Sequence, residues 1–127
     1  MKKIIFSPNA PAPIGPYNQA TLANGTLYIS GQIPINPANG ELVSGDIKKE
    51  TAQVMENLKA ILNAAGIGFE EVLKCSIFMT DMNNYAAINE VYASYFKDET
   101  APAREAVQVS ALPKGVDVEI SCIALVP

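Results

Sequence analysis

The sequence predicts an α+β protein in which two helices cover one face of a five- or six-stranded sheet. Three observations carry that expectation. Short strand-like segments meet at Asn24-Gly25, two longer stretches repeat apolar residues at three- and four-residue steps, and the last strand is apolar on both faces. The 127 residues read as a single domain, 1–127, with element order β-β-α-β-α-β-β.

Pro8, Pro11, Pro13 and Pro16, with Gly15 among them, exclude helix near the start and give an extended, rigid loop leading to Tyr17. Strands are expected over 17–23 and 26–32. Asn24-Gly25 between them tolerates the positive φ that a two-residue hairpin turn requires. A second loop occupies 34–45. The clearest helix is 46–65, where Ile47, Val54, Leu58, Ile61, Leu62 and Ala65 form one face, Asp46 caps the start and Gly66 ends it in the left-handed conformation.

From 71 to 80, Leu73, Cys75, Ile77 and Met79 alternate with Val72, Lys74, Ser76 and Phe78, as a strand requires. A second helix is expected over 84–96, capped by Asn83 or Asn84. Its side bearing Tyr85, Ile88, Tyr92, Tyr95 and Phe96 reads as core packing in preference to a ligand box. Strands over 103–110 and 116–126 complete the sheet. In the last one Val116, Val118, Ile120, Cys122, Ala124 and Val126 share a face, while Asp117, Glu119 and Ser121 give way to Ile123 and Leu125 on the other. Such a strand must be covered on both sides, yet two helices cover only one. The uncovered face is expected to meet another copy of the chain.

Composition narrows the chemistry. There are 13 acids against 9 bases, a net charge of -4, no histidine and no tryptophan; Arg104 is the single arginine. Without histidine there is no Ser-His-Asp or Cys-His relay. Two lone cysteines complete no structural zinc shell, so no metal is expected. Scattered lysines on an acidic chain make a poor footprint for nucleic acid. The apolar run in Met1-Lys2-Lys3-Ile4-Ile5-Phe6 is too short for a leader or a spanning helix, so a cytoplasmic protein without membrane attachment is expected. Cys75 and Cys122, within apolar strands, read as buried free thiols.

Arg104 stands in Thr100-Ala101-Pro102-Ala103-Arg104 at the mouth of a strand, among small or apolar residues. A guanidinium captures a carboxylate through a planar fork and stays charged when partly buried. The competing reading is an internal salt bridge with Glu105, Glu119 or another acid. Glu119, partly buried, would have a raised pKa suited to proton shuttling; otherwise it is a strand-edge residue or the partner of Arg104. In Ser30-Gly31-Gln32 the glycine permits either close ligand approach or a β-bulge. Gly66-Ile67-Gly68 follows a helix and lacks the remainder of a dinucleotide fingerprint, and Glu70-Glu71 reads as a solvated turn.

Gly15-Pro16-Tyr17, Ile29-Ser30-Gly31-Gln32-Ile33-Pro34, Pro102-Ala103-Arg104 and Val118-Glu119-Ile120, in this order across nearly the whole chain, resemble the RidA (YjgF-type) family. Gly40-Glu41, Ala64-Ala65-Gly66 and Leu112-Pro113-Lys114 extend the similarity. The resemblance implies a chorismate-mutase-like domain with a mixed sheet, two helices on one face and the other face packed in a homotrimer with clefts between subunits. It also implies a cofactor-free 2-iminobutanoate/2-iminopropanoate deaminase. Such an enzyme hydrolyses the imino acids released by pyridoxal-phosphate enzymes to 2-oxo acids and ammonia. By the same resemblance Arg104 clamps the substrate carboxylate and Glu119 orients water and shuttles protons. Tyr17, Ser30, Gly31 and Asn89 line the cleft.

Two positions depart from the family pattern. Ala106 stands where many members carry cysteine, which removes roles that depend on that thiol, and Glu105 stands where uncharged residues are commoner. A different class of function stays open: a non-catalytic trimeric module that binds 2-oxo acids or regulates a partner. An RNA-cleaving activity reported within the family fits this acidic, histidine-free chain poorly.

Overall fold

The computed structural model describes residues 1–127. Six strands, β1 (Lys3–Ile5), β2 (Ala20–Ala23), β3 (Thr26–Gln32), β4 (Val72–Met79), β5 (Ala103–Gln108) and β6 (Val118–Leu125), form one sheet in the order β1-β2-β3-β6-β4-β5. All neighbours are antiparallel except β4 and β5, which are parallel because helix α2 (Tyr85–Ala93) carries the chain across between them. The sheet is therefore mixed. It packs beneath α2 and the longer helix α1 (Ile47–Ala64).

Local signals place most of these elements. Asn24 and Gly25 both take positive φ, 52° and 76°, and close the β2–β3 hairpin. Asp46 caps α1 by accepting from the backbone N–H groups of Lys48 and Lys49, and Gly66, at φ 78°, ends it. At α2 the expected cap is corrected: the Asn84 side chain makes no capping bond. Asp81 instead accepts from Asn83 N at 2.9 Å, opening a 3₁₀ turn that feeds the helix.

The core lies between the helices and one sheet face. Leu27 and Ile29 of β3, Cys75, Ile77 and Met79 of β4, and Val118, Ile120, Cys122 and Ala124 of β6 bury there against Val54, Met55, Leu58, Ile61 and Leu62 of α1. Leu73, expected on this face, is half exposed. A register shift between Val72 and Lys74 gives its place to Val72. Strand β1 was not expected from sequence, and residues 17–19 are not strand. The buried Gln19 amide instead accepts from Ser7 N at 2.6 Å and donates to the carbonyls of Ser7, Ala10 and Pro11, tying the proline-rich loop down.

The opposite sheet face has no helix over it. Tyr28, Val107 and Leu125 are exposed on it, beside Phe78 and Ile123. No helix is long and apolar enough to cross a membrane.

Candidate functional site

The chemistry-bearing residues fall into two groups, on opposite faces of the sheet. Glu119 lies between Val118 and Ile120, both fully buried on the helix side, so strand alternation turns its side chain to the open face. There it meets β3 where the β3–β6 register slips between Ile29 and Gln32. A β-carbon at Gly31 would lie 2.6 Å from Glu119 Oε2 and 2.8 Å from the carboxyl carbon. The bulge and the close approach both hold at Gly31, and the group that approaches is Glu119. Partial burial pushes the Glu119 carboxyl above the usual carboxylate range.

Ser30 ties this strand to the loop before it: its N–H donates to Gln19 O at 2.9 Å and its Oγ to Asn18 O at 2.7 Å. That anchors Tyr17, whose ring packs by Gly15 at φ 133°, a backbone position that favours glycine. Ile14, Tyr17, Ser30, Gly31, Lys114 and Glu119 line a cleft of about 570 Å³. Lys114 was not singled out from sequence. It is one of two non-glycine residues with positive φ, 57°, and stands beside Gly115 at φ 69° in the turn over the cleft.

Arg104 does not line this cleft. It pairs with Cys75, which pairs with Cys122, and both cysteines point into the helix-side core, so Arg104 shares their face. Its Nη1 donates to Asn89 Oδ1 at 2.6 Å and its Nη2 to the Tyr85 hydroxyl at 2.7 Å. Its central carbon stands 5.2 Å from the Tyr92 ring centroid and 5.7 Å from that of Tyr85. No carboxylate pairs with it, which overturns the internal salt-bridge reading. Glu105 turns to the other face and takes Lys74 at 3.1 Å and the Ser76 hydroxyl, which hold its carboxyl below the usual range.

Glu119 aligns with Phe78 and Val107, three residues along from the Cys122–Cys75–Arg104 row and on the other side of the sheet. The two backbones are therefore separated by about 10 Å along the strands and about 10 Å across them. Within one chain the sheet brings Tyr17, Ser30, Gly31 and Glu119 together and brings Asn89 to Arg104. It does not bring the two groups around one small molecule.

With this geometry in place, the comparisons are specific. The family model described as Endoribonuclease L-PSP, that of the YjgF/RidA proteins, matches residues 7–126. A RutC family protein of Pyrococcus horikoshii is 57% identical over 124 residues, spanning 98% of each chain. The 2-iminobutanoate/2-iminopropanoate deaminase of Capra hircus is 47% identical over 125 residues, spanning 98% of this chain and 90% of that one. The crystal structure of the Yersinia pestis protein YyfA, described as a Rid family protein of unknown function, superposes with a TM-score of 0.97. It is 52% identical and the match covers 99% of this chain and 100% of that one. The chain belongs to the YjgF/RidA family.

Proposed function

We propose that this protein is a 2-iminobutanoate/2-iminopropanoate deaminase, hydrolysing 2-imino acids to 2-oxo acids and ammonia. It acts as a homotrimer in which Arg104 and Asn89 of one subunit complete the Tyr17–Ser30–Gly31–Glu119 cleft of the next. The observation that carries the reading is the division itself. A lone arginine with no acid on it and a glutamate in an open cleft lie on opposite faces of one sheet, and the face that carries the glutamate has no helix over it and exposes Tyr28, Val107 and Leu125.

In the composite site Arg104 holds the substrate carboxylate, and Asn89 keeps the fork in place. Glu119 as carboxylate takes a proton from a water that adds to the imine carbon. The same proton passes to the nitrogen of the resulting carbinolamine. Glu119 then takes the hydroxyl proton and returns it to the nitrogen as the C–N bond breaks, so the carbonyl forms and ammonia departs. Positioning and one proton shuttle suffice for this step, which explains how a histidine-free chain catalyses it. The raised Glu119 pKa supports proton exchange nearer neutrality. Ribonuclease action is not proposed: a net charge of -4, one arginine and no histidine supply neither phosphate binding nor the usual general base.

The test couples the protein to a pyridoxal-phosphate dehydratase acting on threonine, with semicarbazide trapping the transient imine. Wild type is expected to suppress trapping and Arg104→Ala to lose that effect. Unchanged trapping by a wild type that still binds 2-oxobutanoate would replace the deaminase with a binding or regulatory module. Light scattering tests assembly, and a mass near that of one chain would sink the trimer.

A further inference from the structure

The tyrosine stripe of α2 is more than core packing. Tyr85, Asn89 and Tyr92 stand at i, i+4 and i+7 and so share one helix face, the face turned to Arg104. Tyr92 is 5% exposed and wedged against Phe96 with ring centroids 4.8 Å apart, so it forms a fixed floor under the guanidinium. Tyr85 is 36% exposed; its hydroxyl reaches Nη2 from the side.

We propose that Tyr85 is a positioning residue of the carboxylate clamp: its hydroxyl fixes the rotation of the Arg104 fork above Tyr92. The inference rests on the carboxylate-clamp reading of Arg104. Every group that holds Arg104 is neutral: an amide oxygen, a hydroxyl and the Tyr92 ring. A carboxylate in any of those places would orient the arginine but cancel the charge and occupy the fork. Neutral acceptors orient it at the cost of two N–H groups. The full positive charge and the remaining N–H groups stay available to an anion. Asn89 alone leaves the guanidinium free to swing about one hydrogen bond, and Tyr85 supplies the second point that stops it.

The test compares wild type with Tyr85→Phe, which keeps the ring and removes only the oxygen. Kinetics with 2-iminobutanoate, calorimetric binding of 2-oxobutanoate and side-chain ¹⁵N NMR are the readouts. Arg104 is the only arginine, so its guanidinium signals are assigned without ambiguity. The expected result is a roughly five- to tenfold rise in both KM and Kd with kcat within about twofold of wild type. The separate Nη signals of a held guanidinium are expected to merge in Tyr85→Phe. Unchanged KM and Kd overturn the proposal, and so does a rise in them with the Nη signals left separate, because Tyr85 would then act on the ligand directly. Turnover with a silent Tyr85→Phe overturns this inference alone. Binding without turnover, weakened by Tyr85→Phe with merged Nη signals, overturns the deaminase reading alone. Neither binding nor turnover overturns both.

Discussion

The Glu119 carboxylate occupies the space that a side chain at Gly31 would need: the nearest oxygen is 2.6 Å from where a β-carbon would stand. A methyl group there must displace the carboxylate from its place beside the β3 bulge. Gly31→Ala is therefore expected to lower kcat about 10²-fold and to leave the melting temperature within a few degrees of wild type. Steady-state kinetics and calorimetry on the same preparation check this, and full activity would show that Glu119 need not occupy its observed position.

Glu119→Gln keeps the shape and removes the titrating proton. It is expected to lower kcat about 10²-fold while changing KM little. In wild type the active form of Glu119 is the carboxylate, and burial raises its pKa. Activity should therefore fall on acidification at a pH above the ordinary carboxylate range, and that limb of the kcat profile should vanish in Glu119→Gln.

Loss of the guanidinium removes the clamp. Arg104→Ala is expected to raise KM about 10²-fold, equivalent to ~3 kcal/mol. Arg104→Lys should recover little, because a single ammonium cannot satisfy Asn89, Tyr85 and a carboxylate together. Near-wild-type KM in Arg104→Lys would show that charge alone suffices.

Stability should depend on pH through a residue outside the site. Glu50, in the first turn of α1, is 2% exposed, and burial with help from neighbouring Asp117 pushes its pKa up to about 7. A raised carboxyl favours folding when protonated. That contribution is complete below the usual carboxylate range and is lost as pH rises towards 7. Glu50→Gln should flatten this dependence and make the protein more stable than wild type at pH 8, by up to about 3 kcal/mol. Chemical denaturation across pH 4–8 measures both curves.

The parts of the fold legible in the sequence are those with a strong local signal. The Asn24-Gly25 turn, the α1 face and the alternation through Cys75, Ile77 and Met79 each follow from the backbone preferences of a few residues. The same alternation, read at Val118 and Ile120, turns Glu119 away from the core. Other features escaped for lack of such a signal. Strand β1 spans only Lys3–Ile5, too short for a period, and Leu73 was misplaced by a register shift that sequence does not mark. The direction of Arg104 was hidden because β5 is exposed along most of its length and carries no apolar alternation. Its partners Asn89 and Tyr85 come from a helix 15 and 19 residues away, a proximity created by the β4–α2–β5 crossover.

The placing of Arg104 and Glu119 on opposite faces of one sheet has a genetic consequence. If every composite site draws Arg104 from one chain and Glu119 from its neighbour, a gene copy lacking either residue still encodes the half that the other copy has lost. Randomly mixed trimers of Arg104→Ala and Glu119→Gln chains would restore about one quarter of the sites. The two variants expressed together would then yield about a quarter of wild-type activity, whereas a site built within one chain would yield no more than either variant alone.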